Sequence, residues 1–331
     1  MRRGAFLFPR AVEGVPVQCA ADAPALDPGR TITLLGWNIQ FGAGRHPFFY
    51  DYGDVVSVSE AEVHRTLEGI ATTIRAVDPD LVVLQEVDRG SRRTAFVDEH
   101  AWLVDGLDYP CHASTPYWRA PYVPIPAHEP LGRVDLHLSV LSRFALGPAT
   151  RRALPMLRES PLRRLFNLKR AVLEVRLPVR GGPDLVLLQT HLSAFSRGDG
   201  TLPGQVAAVD ARLAALEDAG IPWVIEGDLN ALPPGDDPSR LAPEERALYP
   251  EASTPVAPLL AHWHDPVADG WRTDPARWRT FLPYPEDVPD RTLDYTLHGG
   301  GVRAMGYRVV REAKAWSDHL PVCFTFQLTG G

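Results

Sequence analysis

Leu185-Val186-Leu187-Leu188-Gln189-Thr190-His191 begins the stretch on which the fold turns, and Trp223-Val224-Ile225-Glu226-Gly227-Asp228-Leu229-Asn230 ends it. The apolar run from Leu185 to Gln189 predicts a buried strand that finishes in polar Thr190-His191. Val206, Val209, Leu213 and Leu216 then recur at the three- and four-residue spacing of an amphipathic helix, closed by Gly220. Trp223 to Ile225 predict a second strand, and polar side chains again stand at its end. Because a strand carries residues two apart on one side, Asp228 and Asn230 are expected to project together.

The same order appears earlier in the chain. Thr31 to Trp37 predict a buried strand that delivers Asn38, and Leu81 to Leu84 a second that ends at Gln85-Glu86. Between them Val63, Leu67, Ile70, Ile74 and Val77 trace a helix, with Ser59 and Glu62 placed to form a capping box and Pro79 to stop it. This repeated strand, helix, strand pattern suggests two similar halves packed face to face. A final strand shows two-residue alternation, with Val322, Phe324 and Phe326 on one face, directly after Ser317-Asp318-His319. Proline-rich stretches from Tyr109 to Pro130, Pro233 to Pro258 and Pro283 to Pro289 read as surface loops around a site.

Composition sets outer limits. With 45% hydrophobic residues, a net charge of −7 and an isoelectric point near 5.9, the chain is globular and has no overall attraction for polyanions. No apolar run approaches the ~20 residues of a membrane-spanning helix. The N-terminus starts like a signal peptide, but Pro9 and Arg10 interrupt it before an apolar core is complete. Cys19, Cys111 and Cys323 stand far apart and are odd in number, which predicts neither a disulfide framework nor a thiolate metal site and favours the cytoplasm. One local exception to the acidic balance runs from Arg151 to Arg170, with seven basic residues and a single acid, Glu159. Read as a solvated arm, this segment needs no partner; read as a contact surface, it suits a phosphate-rich substrate or peripheral contact with an anionic membrane.

The polar residues at the strand ends suit phosphoester chemistry. Breaking such an ester requires a cation on the non-bridging oxygens, an oriented base for water, and donors around the transition state. Asn38 and Glu86 are hard oxygen ligands of the kind that hold Mg²⁺. Asp228 is placed to accept a proton from water, and Asn230 to hold a phosphoryl oxygen. An imidazole facing phosphate must be held protonated and oriented; Asp294 is expected to do this for His319, with His191 donating from the opposite side. Arg89, Arg92, Arg93 and Arg197 follow strand ends closely, and Arg89 and Arg197 are the chosen candidates for a second phosphate or charged head group.

Trp37-Asn38, Gln85-Glu86, Thr190-His191-Leu192, Gly227-Asp228-Leu229-Asn230, Leu293-Asp294-Tyr295 and Ser317-Asp318-His319-Leu320-Pro321 occur in the order found in the endonuclease/exonuclease/phosphatase superfamily, which this sequence resembles from about Thr31 to Phe326. The resemblance implies an α+β fold, a four-layer αββα sandwich of the DNase I-like type. It implies one domain over residues 31–328, preceded by an extension over residues 1–30. It also implies Mg²⁺ or Mn²⁺ held by Asn38 and Glu86 with Asp318 at the metal-proximal position, and catalysis by His191, Asp228, Asn230, Asp294 and His319. Gln40 stands where some members carry a carboxylate, which points to one-metal chemistry held mainly by Glu86. A phosphodiester or phosphomonoester of a small molecule or lipid head group is the expected substrate, with a nuclease as the alternative and a catalytically silent binding module behind it; nucleic acid is allowed but not favoured.

Overall fold

The computed structural model describes residues 9–51, 53–194, 198–249, 254–268 and 270–329. Within them the strands are β1 (Val12–Val15), β2 (Val17–Cys19), β3 (Ile32–Asn38), β4 (Leu81–Asp88), β5 (Cys111–Val123), β6 (Gly132–Ser142), β7 (Ala149–Ala153), β8 (Ala171–Leu177), β9 (Leu185–His191), β10 (Trp223–Asp228), β11 (Asp294–His298), β12 (Val302–Val309) and β13 (Val322–Leu328). The main helices are α1 (Glu60–Val77), α2 (Glu99–Gly106), α3 (Pro161–Phe166) and α4 (Thr201–Asp218). One sheet has the order β1-β7-β8-β9-β10-β11 and the other β12-β13-β3-β4-β6-β5-β2. Helices flank the two mixed sheets, which gives the α+β sandwich expected from the sequence. No helix among the described residues is long and apolar enough to cross a membrane.

The two predicted halves are present. β3 and β4 pair in parallel around the crossover helix α1, and β9 and β10 pair in parallel around α4. α1 forms because its apolar residues line one stripe: Val63, Leu67, Ile70 and Ile74 are fully buried. Burying each is worth roughly 1.5–3 kcal/mol. The expected capping box is made, with Glu62 N–H donating to Ser59 Oγ and the Glu62 carboxylate accepting from Ser59 N–H. The interior between the sheets is closed by aliphatic residues of both, Leu34, Val83 and Val140 facing Leu173, Leu187 and Val224 within one core.

Topology then gathers the polar ends. Parallel strands finish at the same edge of a sheet, so Asn38 and Glu86 share one edge, as do His191 and Asp228. β11 and β13 run antiparallel to β10 and β3, so they begin where those strands end, which brings Asp294 opposite Asp228 and sets Asp318-His319 beside Asn38.

Three expectations are corrected. The proline-rich stretch from Tyr109 is not a loop through most of its length, because residues 111–123 form β5, paired along β6. Its prolines are tolerated because the register shifts beside them, between Pro116 and Trp118 and between Ala120 and Val123. The cysteines are not all apart: Cys19 and Cys111 face each other in the β2–β5 ladder and are joined by a disulfide. The reasoning that placed the chain in a reducing compartment loses its ground with them. Nor is the basic segment a solvated arm throughout: Arg158, Arg163 and Arg164 are exposed, but Arg151, Lys169 and Arg170 are buried and Arg152 is paired with Glu174 at 2.6 Å. Residues 12–19, in the stretch read as an extension, supply an edge strand to each sheet.

Candidate active site

A cavity of ≈ 350 Å³ opens where the strand ends converge, and Glu86, His191, Asp228, Asn230, Asp318 and His319 all line it. Asp228 Oδ2 is the hub. It accepts from Asn38 Nδ2 at 3.1 Å and lies 3.4 Å from His191 Nε2 and 3.6 Å from His319 Nε2. Asn38 Nδ2 also donates to Glu86 Oε1 at 3.2 Å, so one amide bridges the carboxylates of the two halves. His319 Nδ1 lies 2.8 Å from Asp294 Oδ2, the pairing expected from the sequence.

The two carboxylates are presented by different backbone devices. Glu86 sits at a bulge, where the β4–β6 register shifts between Leu84 and Val87, with φ +56°. A non-glycine residue in that left-handed region is held there against a cost of about 1–3 kcal/mol. Asp228 is the last residue of β10, in register with His191 on one side and Asp294 on the other. The strand ends there, so alternation does not explain Asn230: at φ +49° it turns back, its N–H donates to Asp228 Oδ1 at 2.9 Å, and its amide donates to Leu192 O. It reaches the cavity by a turn and not by strand pleating.

Electrostatics separate the histidines. Burial alone would lower His319, but the Asp294 and Asp228 carboxylates outweigh it and hold the imidazole well above its ordinary value, as a cation. Burial, with Arg170 and His319 nearby, pushes His191 well below, so it is neutral. Its Nδ1 meets Tyr117 Oη at 3.2 Å. Burial raises Asp228 to about 7. Glu86 is raised by burial and then by the Asp318 charge, and Asp318 by burial.

Two sets of residues are candidates for a cation. Asp228, Asp294 and His319 each offer an atom within 4.8 Å of the others. Asp294 Oδ2 faces His319 Nδ1 while its Oδ1 is buried without a hydrogen-bond partner, so the trio can serve as a proton-holding relay and still offers an oxygen to a cation. The Asp318 charge raises the proton affinity of Glu86 across the cavity, the situation a divalent cation relieves. Asn38 Oδ1 accepts from Gln40 N–H at 3.1 Å, which turns its N–H₂ group toward the carboxylates.

The structure does not bring Arg89 to the cavity; its guanidinium forms a two-pronged pair with Asp98 at 2.9 and 2.8 Å. Arg197 lies outside the described residues. Arg93 lines the cavity but is buried against Asp88 at 2.8 and 3.1 Å. The residue that sequence reading missed is Arg170, a buried side chain on the cavity wall over the Tyr117 ring, with Nε and Nη1 lacking any hydrogen-bond partner. A signal existed: Arg170 directly precedes β8, whose neighbour β9 ends at His191.

The sequence matches the model of the Endonuclease/Exonuclease/phosphatase family over residues 35–319. Among solved structures, the fold is similar to an endonuclease/exonuclease/phosphatase from Beutenbergia cavernae, at 27% identity and a TM-score of 0.62, covering 91% of this chain and 72% of that one. The human Nocturnin catalytic domain with bound sulfate is similar at 18% identity and a TM-score of 0.57, over 95% of this chain and 97% of that one. Truncated Caenorhabditis elegans TDP2 is similar at 16% identity and 0.53, over 91% and 98%. No curated protein matches the sequence.

Proposed function

This chain belongs to the endonuclease/exonuclease/phosphatase family, and from that premise we propose that it is a divalent-metal-dependent phosphoesterase acting on a phosphodiester or phosphomonoester of a small molecule or lipid head group. The family is one of phosphoester hydrolases, typically dependent on a divalent metal. The observation that carries the reading is the single Asn38 amide joining Glu86 and Asp228 at 3.2 and 3.1 Å while two histidines of opposite charge state flank Asp228.

Glu86 and Asp318 would hold Mg²⁺ or Mn²⁺, with Asn38 fixing the Glu86 carboxylate. When bound, the ion supplies positive charge for the non-bridging phosphate oxygens. Asp228 accepts the proton of the attacking water as the new bond to phosphorus forms. His319, kept protonated by Asp294, donates to a phosphoryl oxygen and steadies the charge that grows as the ester bond breaks. Arg170 offers its two unpartnered N–H groups to the same phosphoryl group, and Asn230 and His191 orient it.

Purified protein should release 4-nitrophenol from a 4-nitrophenyl phosphodiester with Mg²⁺ or Mn²⁺ and lose that activity in EDTA. Wild-type rates that EDTA leaves unchanged would overturn the metal assignment, and unaltered turnover in Asp228→Asn would overturn the residue assignment. Of the seven basic residues between 151 and 170, Arg158, Arg163 and Arg164 stay exposed. They are the groups on which contact with nucleic acid or an anionic membrane would rest, and salt-sensitive duplex binding that is lost in Arg163→Gln/Arg164→Gln would favour the nuclease alternative.

A further inference from the structure

Beyond the polar floor, much of the cavity wall is apolar. Phe49 and Tyr50 follow β3, Trp118 lies on β5, and Leu248, Tyr249 and Phe281 come from the long connection between β10 and β11. At the mouth Ile125 is 56% exposed, an apolar side chain left in water at the entrance.

Among the described residues, the arginines of this wall other than Arg170 are already engaged. Arg93 is paired with Asp88, and Arg291 with Asp290 and Glu245 at 2.7 to 2.8 Å. Arg45 donates to Pro283 O at 3.1 Å, faces Asp287 at 3.7 Å and keeps only Nε without a partner. Arg170, with two N–H positions unmade, lies beside the catalytic groups and serves the phosphoryl group under attack. A second phosphate placed farther out would meet aromatic rings and the Glu245 carboxylate, which also lines the cavity. A dianion bound there would be stripped of its hydration, and among the described residues no other arginine of this wall is left free to replace it. An apolar group would instead exchange water for contact with these rings.

We propose that the substrate carries a single phosphoryl group and an apolar substituent, aromatic or short aliphatic, which seats against this wall; polyphosphates and duplex nucleic acid are poor substrates. The proposal rests on the phosphoesterase reading for its chemistry, but the apolar subsite is a binding property that stands or falls separately. A cavity of ≈ 350 Å³ suits it, since small-molecule sites begin at roughly 300 Å³.

The test uses a series of 4-nitrophenyl phosphodiesters whose second ester group is methyl, hexyl or phenyl, beside inositol hexakisphosphate and a DNA duplex. Calorimetry of methyl-, hexyl- and phenylphosphonate binding runs in parallel. Turnover number over KM should rise about 10- to 100-fold from methyl to phenyl, the usual range for filling an apolar pocket. Phosphonate affinity should tighten in the same order. Ile125→Asn and Leu248→Asn, at exposed and half-buried positions on separate loops, should shrink the phenyl-over-methyl ratio. Turnover that ignores the substituent, or that is fastest on the polyphosphate or the duplex, overturns the proposal and leaves the phosphoesterase reading intact. No turnover of any ester with phosphonates that still tighten from methyl to phenyl supports the apolar subsite and removes the phosphoesterase reading. No turnover and no tightening removes both.

Discussion

The halves built on β3-α1-β4 and β9-α4-β10 share a topology and differ in what they deliver. The first strand of each ends in an amide or imidazole, Asn38 or His191, and the second presents a carboxylate, Glu86 or Asp228. In the earlier half the carboxylate rides on a bulge in the left-handed region; in the later half it closes a regular strand. At the bulge Glu86 accepts from the Asn38 amide at 3.2 Å and feels the Asp318 charge, the pair proposed to hold a cation. The straight strand keeps Asp228 against both histidines, where a proton can be taken up. On the proposed reading, one crossover unit, used twice, would serve two chemistries because its backbone ends differently.

Neutralising the two carboxylates separately should give the largest effects. Asp228→Asn should lower kcat about 10³-fold, within the usual range for losing a general base, and added metal should not restore it. Glu86→Gln should instead raise the metal concentration needed for half-maximal activity, with much of the rate recovered at high metal; identical metal curves for the two variants would show that the halves are not functionally divided. Next in size is Asp294→Asn, which removes the carboxylate that keeps His319 charged. Its kcat should fall about 10²-fold. Because Asp294 raises the His319 proton affinity, its loss should move the alkaline limb of the rate profile to lower pH. An unmoved limb would remove His319 as the acid seen in that profile.

Two glycines compare the halves by stability. A Cβ on Gly227 would lie 2.0 Å from the Thr190 carbonyl oxygen, a backbone atom, whereas one on Gly36 would lie 1.9 Å from the Glu226 carboxyl carbon, the far end of a side chain. In urea denaturation Gly227→Ala should cost more than Gly36→Ala, whose loss is about 1–3 kcal/mol. Adding Glu226→Ala should recover part of the Gly36→Ala loss and none of the Gly227→Ala loss. The smallest effect belongs to helix starts. Ser59→Ala should cost about 1 kcal/mol, while α4 begins at Gly200 with no side-chain cap to lose.

What could be read in the sequence was whatever repeats locally. Apolar runs ending in polar residues gave the central strands, and helical spacing gave α1 and α4, because each rests on periodicities of a few residues. The polar tips Asn38, Glu86, His191, Asp228 and His319 were legible for the same reason, since each follows an apolar run or a short motif. β5 was hidden because its prolines look like loop residues until the bulges that accommodate them are known. Arg170 was hidden, and the burial of Arg93 unforeseen, because charge in a sequence reads as solvent exposure, and only tertiary packing puts guanidinium groups inside. Arg89 drew attention by its place after a strand, yet Asp98, nine residues on, holds it elsewhere.

The first described strands tie the two sheets together at their edges. Val15 belongs to one sheet and Val17 to the other, so Pro16 alone crosses between them, and the β2 side is fastened again by the Cys19–Cys111 link. The chain therefore hems the edges of the two leaves together there and again between β11 and β12, and it crosses from one leaf to the other once more between β6 and β7.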